Sequence, residues 1–327
     1  MKLLPTKSAL NQQWIVFAIA VLLLIVFSVT LDGFATVGNL LSLVQGVAII
    51  GVLAIGMALV VIGRGIDLSM ISVAVMPVAW SFVLMTRGVP AEVASLSAVA
   101  VAIAVGLLNG WLVAYVEVPA IFATLATGTI IYGAMQFFAV SDDIVQVPIA
   151  IQGIGHVMRD ATWGVPHSVI FFAMVALVAG LLLRITVAGR YVYAIGDNPA
   201  TARITGIPVR PNIVMQYVLT SLVALTAGYV LALTVDSANT RIFNSTMIYD
   251  VILIVVLGGI GLGGGKGHVA NVLVGTALIG ILLNGMTIMN LAYTTQNLIK
   301  ASILLIAITV DSLLNPRDEQ TSQQGDI

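Results

Sequence analysis

The chain contains no cysteine in 327 residues, only three histidines, and charged side chains at 8% of positions. Without thiols there is no disulfide, no thiolate nucleophile and no thiolate metal ligand. His156, His167 and His268 lie far apart in sequence, so no metal or redox centre is expected. Thirteen basic residues against fourteen acidic ones leave a net charge of −1. A near-neutral chain with no basic stripe has no electrostatic footing for nucleic acid. A long polar region is missing too, so no separate globular domain is available to bind a nucleotide or carry out other chemistry.

What is present is apolar. Hydrophobic residues make up 60% of the chain, against roughly half in soluble domains, where about a quarter of residues are charged. A bilayer core about 30 Å thick needs roughly 20 apolar residues of helix. Ten runs approach that length: 14–31, 41–62, 69–85, 93–116, 120–140, 167–185, 212–235, 248–258, 269–289 and 298–314. The expected fold is therefore an all-α, polytopic transmembrane helical bundle of about ten spans. The first run is too long for a signal core and lacks a small-x-small cleavage site, so it reads as an uncleaved span. The run 248–258 is too short to span alone and is expected to begin earlier, near Phe243.

Cytoplasmic loops carry the excess of Lys and Arg. Ten spans starting inside place Lys2, Lys7, Arg64, Arg184, Arg190, Arg203, Arg210, Lys266 and Arg317 in the cytoplasm, with Arg87, Arg159, Arg241 and Lys300 outside or in the outer interface. Both termini then face the cytoplasm. The resulting domains are a cytoplasmic N-terminal segment (1–13), a transmembrane domain (14–314) with a cytoplasmic loop at 188–211, and a cytoplasmic tail (315–327). The brief connection Glu117-Val118-Pro119 decides the parity of the later spans.

Three segments interrupt the apolar pattern. Gly63-Arg64-Gly65-Ile66-Asp67-Leu68-Ser69 breaks one run and opens the next, with Asp67 or Ser69 placed to cap a helix. Gly258 to Gly267 holds seven glycines in ten residues. It superficially resembles a nucleotide loop, but no Ser or Thr follows Lys266 and no strand precedes it, so a tight turn is expected. Gly65, Asp67, Ser69, Gly258, Gly259, Gly264, Gly265 and Gly267 are accordingly read as structural or gating turns. The segments Gly65–Ser69 and Gly259–Gly263 echo one another, a pattern that repeated transporter halves produce. The third interruption, Gly189 to Ile207, reads as a short helix outside the bilayer: Asp197 or Asn198 caps it, Pro199 occupies its first turn, and Gly206 with Pro208 stops it.

Within the runs the polar residues are mostly neutral. Gln45, Asn109, Thr127, Tyr132, Gln136 and Asn284 are candidates to line a path for a polar uncharged solute. The same residue types also join helices, as does the spacing Gly106-x-x-x-Gly110. Asp250 is the one acidic residue deep in an apolar stretch. A coupling carboxylate looks like this, which keeps an ion-coupled secondary transporter as the alternative.

Taken in order, Gly65-Ile66-Asp67-Leu68-Ser69, the segment Gly189-Arg190 to Gly206-Ile207, and Tyr249-Asp250 through Gly264-Gly265-Lys266-Gly267 resemble the signatures of the ribose-type permease family of bacterial ABC importers for monosaccharides. The resemblance covers roughly 40–314. The chain departs at Arg64, Met70-Ile71, Gly261 and Gly263, where the family usually has other residues. The resemblance implies an inner-membrane permease that works as a homo- or heterodimer with a second permease subunit, surrounded by membrane lipid. A cytoplasmic ATP-binding-cassette ATPase would bind ATP and Mg, a periplasmic substrate-binding protein would deliver the solute, and this chain would hold no cofactor and no catalytic residue. It also implies that Arg190, Tyr193, Gly196, Asp197, Asn198, Arg203 and Gly206 belong to the segment that couples to the ATPase.

Overall fold

A computed structural model describes residues 7–314. The 315–327 tail and the first six residues of the N-terminal segment lie outside the described residues. The chain is built almost entirely from helices: α1 (Lys7–Thr30), α2 (Val37–Ile62), α3 (Met70–Thr86), α4 (Ala91–Ala114), α5 (Ala120–Phe138), α6 (Gln152–Arg159), α7 (His167–Ile185), α8 (Val187–Asp197), α9 (Pro199–Ile204), α10 (Val209–Val235), α11 (Met247–Leu257), α12 (Val269–Ile288) and α13 (Tyr293–Leu314). Four short strands form two antiparallel pairs. β1 (Ile144–Gln146) pairs with β4 (Ser237–Asn239), and β2 (Ala161–Thr162) with β3 (Val165–Pro166).

Pro90, Pro119, Pro166 and Pro208 stand immediately before α4, α5, α7 and α10. There the fixed φ and the missing N–H disturb no intrahelical hydrogen bond. Eight helices are long and apolar enough to cross a membrane. The other two apolar helices are shorter: α3, of 17 residues, covers about 25 Å and α11, of 11 residues, about 16 Å. The remaining depth beside each is made up by turns.

The chain ends of α7 define the two ends of the bundle. α7 starts directly after β3 and finishes at α8, about 28 Å away. We call these the strand end and the short-helix end. Ten alternating passes bring both Lys7 and Leu314 to the short-helix end. The connection at Glu117 turns the chain there as well: Glu117 takes a φ of 64°, and its carboxylate pairs with Arg210 at 2.9 Å.

α2 and α3 form the centre. In α2, 78% of the membrane-length window is buried, against 11% in α1 and 6% in α13. Large apolar side chains on the outer helices, among them Val29, Phe137 and Leu305, remain exposed. In lipid such exposure carries no penalty, because hydrocarbon is as apolar as a protein core.

Two elements begin elsewhere than the sequence pattern suggests. The segment before α11 is not a helix from Phe243: Thr240–Asn244 forms a 3-10 turn, drawn to β1 because the Thr240 N–H and hydroxyl both donate to Asp143 O. α13 starts at Tyr293, five residues before its apolar run, because its first turns are polar and packed against the loop at Thr246. Lys300 therefore lies inside the helix, buried against α11. It is 7% exposed, and its Nζ is 2.7 Å from the Asp250 carboxylate, with Thr246 Oγ1 at 3.3 Å.

This ion pair fastens the most exposed span to the core. Replacing one partner strands the other charge at low dielectric, where the loss is about 3–5 kcal/mol. Lys300→Ala is thus expected to lower the thermal midpoint of the detergent-purified protein sharply, whereas the double variant Asp250→Asn with Lys300→Met recovers most of the loss. An unchanged midpoint for Lys300→Ala would show that the pair does not hold α13.

Candidate functional site

The three segments that interrupt the apolar pattern meet at one place. The turn 63–69 is recessed into the bundle: it lies against Tyr217, which is about 12 Å along α10 from its start. The glycine-rich turn 258–267 and the end of α8 pack beside it. Gly265 N–H donates to Ile62 O at 2.8 Å, and Arg64 Nε donates to Gly263 O at 3.0 Å. The last carbonyl of α2 thus finds a donor in the second turn, and the second turn finds one in the first.

Gly196 closes the junction from α8. A Cβ on Gly196 would stand 1.9 Å from Ile62 O and 2.5 Å from Gly265 N, so no side chain fits. Gly265 has φ +71°, and its own Cβ would crowd Asp197, a conformation and a space that glycine alone tolerates. Tyr193, one turn earlier on α8, donates its hydroxyl to Gly267 O at 2.7 Å. Burial pushes the Tyr193 phenol above its ordinary pKa, which keeps it a neutral donor.

The local sequence explains why α8 and α9 sit as they do. Thr186 caps α8 by accepting Gly189 N–H at 3.0 Å, and Asn198 caps α9 by accepting Thr201 N–H at 2.9 Å. The 188–211 loop thus holds two short helices and not the single one expected; Thr186 three residues before Gly189 is the signal for the first. Of the seven residues implied for coupling, Tyr193 and Gly196 point into the junction. Arg190, Asp197, Asn198, Arg203 and Gly206 are exposed. Ile204 beside Arg203 is 88% exposed, an apolar side chain at the tip of a polar helix.

Asn271 is a further residue of the junction that the sequence reading passed over. Its Nδ2 donates to Gly258 O at 2.7 Å and its Oδ1 accepts His268 N–H at 3.0 Å. One amide thereby staples both ends of the glycine-rich turn. The signal is an amide three residues into a helix that follows a polar first position, the capping-box spacing.

Above the junction runs a buried polar chain. Asp67, fully buried, accepts from Ser69 N–H and Ser69 Oγ at 2.9 and 2.5 Å. Asn109 Nδ2 donates to Ser69 Oγ at 2.8 Å, and Thr127 Oγ1 donates to Asn109 Oδ1 at 2.5 Å. Thr124 Oγ1 accepts Leu68 N–H at 3.0 Å. The turn is therefore held by α4 and α5 through side chains, where the bilayer supplies no water to its backbone. Ser69 precedes α3 without a side-chain capping bond; its own N–H donates to Asp67.

The six polar residues proposed for a path are dispersed. Asn109 and Thr127 belong to the chain just described. Tyr132 stacks on Phe243 with ring centroids 4.4 Å apart, and Gln136 reaches Asp143 at 3.5 Å near the strand end. Asn284 and Asn39 exchange two hydrogen bonds of 2.9 and 3.0 Å between α12 and α2, and Gln45 is half-buried on α2. Among the described residues no three His, Asp or Glu side chains gather as metal ligands. Asn109→Leu removes the central link and leaves Ser69 and Thr127 without it. The expected loss is about 1–3 kcal/mol, read as a lower thermal midpoint, with Asn109→Asp less damaging at low pH than at neutral pH because the protonated carboxyl can donate.

Comparison with known proteins bears on this arrangement. Residues 39–308 match the family model described as "Branched-chain amino acid transport system / permease component". The ribose import permease protein RbsC of Escherichia coli (strain K12) is 32% identical, with 94% of this chain and 95% of the relative covered. The xylose transport system permease protein XylH of Haemophilus influenzae (strain ATCC 51907 / DSM 11121 / KW20 / Rd) is 26% identical over 94% of this chain and 97% of its own length. The fructose import permease protein FrcC of Rhizobium meliloti is 28% identical over 90% and 83%. No solved structure matches. All three motif segments fall inside the matched region, and with eight helices long and apolar enough to cross a membrane and a recessed junction of turns, the chain belongs to this family of ABC-importer permease components.

Proposed function

We propose that this chain is the membrane-spanning subunit of an ATP-driven importer for a monosaccharide or a similar small polar solute in a bacterial inner membrane. The single observation that carries the reading is the junction: α8 ends in backbone contact with both turns, so force applied to α8 and α9 reaches α2 and α11 without an intervening flexible side chain. A partner ATPase that binds ATP and Mg would dock on the short-helix end, against Arg203 and Ile204. That end, with both termini, is then cytoplasmic. A binding protein would approach the strand end, and a second permease subunit would complete the channel. Relatives named for ribose, xylose and fructose support a sugar as cargo. Asp250, which together with the glycine break motivates the secondary-transport alternative, is paired with Lys300 and does not stand as a lone carboxylate.

Two outcomes test this. Ile204→Asp puts a charge where an apolar contact is expected, and is expected to weaken association with the ATPase by about tenfold or more, as loss of a buried interface anchor does. Co-purification and stimulated ATP hydrolysis would report it, with the thermal midpoint unchanged because the side chain is exposed. Gly196→Ala acts differently. The added methyl separates α8 from Ile62, so the ATPase stays bound and hydrolyses ATP while uptake of labelled sugar into reconstituted liposomes falls. Normal uptake by the Gly196→Ala complex would sink the coupling role of the junction.

A further inference from the structure

Between α5 and α7 the chain builds a small element that takes no part in the junction: α6 followed by the β2–β3 hairpin. The hairpin turns at Trp163-Gly164, with φ of 52° and 79°, and is closed by the pair Thr162 and Val165. Two positive φ values in a two-residue loop make a type I′ turn, whose first position is usually Asn, Asp or Gly. A bulky L-residue is strained there. The Trp163 side chain is also 99% exposed, so no contact within this chain offsets the strain. An outlier of this kind points to a role outside the fold.

The element is fastened at a defined height. Arg159, the last residue of α6, donates to Leu233 O at 3.1 Å and pairs with Asp236 at 2.8 Å. Gly155, one turn earlier, lies against the same carbonyl: a Cβ there would stand 3.6 Å from Leu233 O. At the other edge His167 Nδ1 donates to Val157 O, and its Nε2 is 2.7 Å from Thr162 Oγ1. Asp160 accepts Ala161 N–H at 2.8 Å. α10 has 27 residues and so runs about 40 Å, close to the full bilayer thickness of about 40–45 Å with its headgroups. Leu233 is third from the end of α10 and therefore lies in the headgroup layer. His167 is the first residue of α7, so the hairpin is bonded to the membrane boundary as well. Its tip is two residues from Pro166, about 7 Å of extended chain, which is comparable with the thickness of that layer.

With its Gly155 and Arg159 edge turned to α10, α6 leaves Ile154 and Val157 exposed, three residues apart on one face. Together with Trp163 and Val165 they form apolar surface beside the start of α7, whose own Ile170 and Met174 are exposed. Charge adds little: Arg159 and Asp160 are the only Asp, Glu, Lys or Arg from 144 to 170, and Arg159 is paired.

We propose that α6 and the β2–β3 hairpin form an interfacial membrane anchor, with Ile154, Val157 and Trp163 seated where headgroups meet acyl chains in the leaflet at the strand end. Trp suits that layer because its ring is apolar while its indole N–H can donate to a headgroup oxygen. A short helix lying in the interface plane buries its apolar face at the same depth. The bilayer is the occupant because this surface is level with Leu233 and His167, beside the span ends, where lipid packs around α7; a soluble partner meets what stands above them. With its one basic residue already paired, the anchor takes neutral and anionic phospholipid alike. Arg159 then ties the leaflet to α10, the helix that carries Tyr217 against the recessed turn. Neither the cargo nor the ATPase enters this reading.

The chain has no cysteine of its own, so one introduced thiol carries one bimane label. Trp163→Cys, Val157→Cys, Leu177→Cys and Ile204→Cys are each labelled in the full chain in phosphatidylcholine nanodiscs. Leu177 is exposed ten residues into α7, about 15 Å deep, and Ile204 stands at the tip of α9. Lipid bearing a nitroxide high on its acyl chain is expected to quench positions 163 and 157 about threefold or more beyond aqueous iodide, as an interfacial depth requires. Position 177 is quenched best by a nitroxide near the chain end, and position 204 by iodide alone. Adding phosphatidylglycerol leaves the pattern unchanged. The native side chain is read without a label from the emission lost in Trp163→Phe, whose exposed site leaves the thermal midpoint unchanged. That emission is expected to be quenched by lipid brominated high on its chain. Iodide quenching at 163 and 157 equal to that at 204, with the Trp163 emission untouched by brominated lipid, overturns the anchor; shielding of both positions by added binding protein assigns the surface to that partner instead. Lipid quenching that appears only with phosphatidylglycerol overturns attraction to the apolar boundary in favour of headgroup charge.

Discussion

A backbone that leaves the helix inside a bilayer has no water to bond, and each unsatisfied N–H or C=O there costs several kcal/mol. Both turns of this protein are recessed in that way, and each supplies what the other lacks. Gly265 N–H to Ile62 O, with Arg64 Nε to Gly263 O, is the bond pair on which the arrangement depends. Gly196 must be bare because these two strands of irregular backbone leave no room beside them. The glycines are thus the consequence of satisfying main-chain polarity at depth, and any coupling function is built on a contact that the solvent already demands.

The polar interior follows the same logic at longer range. Asp67 is buried at the centre of the bundle and is tolerated because Ser69, Asn109 and Thr127 form a relay of donors and acceptors across α4 and α5. Asp250 is tolerated because Lys300 is brought to it. The two carboxylates, which look alike in an apolar sequence, are handled by opposite means: one by neutral hydrogen bonding, the other by a countercharge.

The helical bundle was legible in the sequence because lipid forces long uninterrupted apolar runs, and ten such runs reappear as α1 to α5, α7 and α10 to α13. The three interruptions were legible as well, since Gly, Pro and Asn punctuate apolar sequence conspicuously. That they touch one another was not, because Gly196, Ile62 and Gly265 are separated by well over a hundred residues in part and meet through main-chain atoms, which carry no residue-specific signal. Lys300 and Asp250 were each visible but were read apart, since the polar start of α13 hid how deep Lys300 lies. The roles of the polar residues within the spans were the least legible: a Tyr or Asn in a span looks the same whether it faces a cavity or another helix.

The pairing of Lys300 with Asp250 also bears on how the protein is made. α13 is the least apolar of the eight crossing helices and is 6% buried, so little but its own composition draws it into the bilayer. A lysine at a helix centre opposes insertion by about 2.5–3.5 kcal/mol on translocon scales. The countercharge that offsets this sits fifty residues earlier in the chain, on α11, and has left the ribosome first. Biosynthetic order therefore matters: the last helix enters the membrane as a client of one already there, and a chain that lost α11 would present α13 to the insertion machinery as a segment with an unescorted charge.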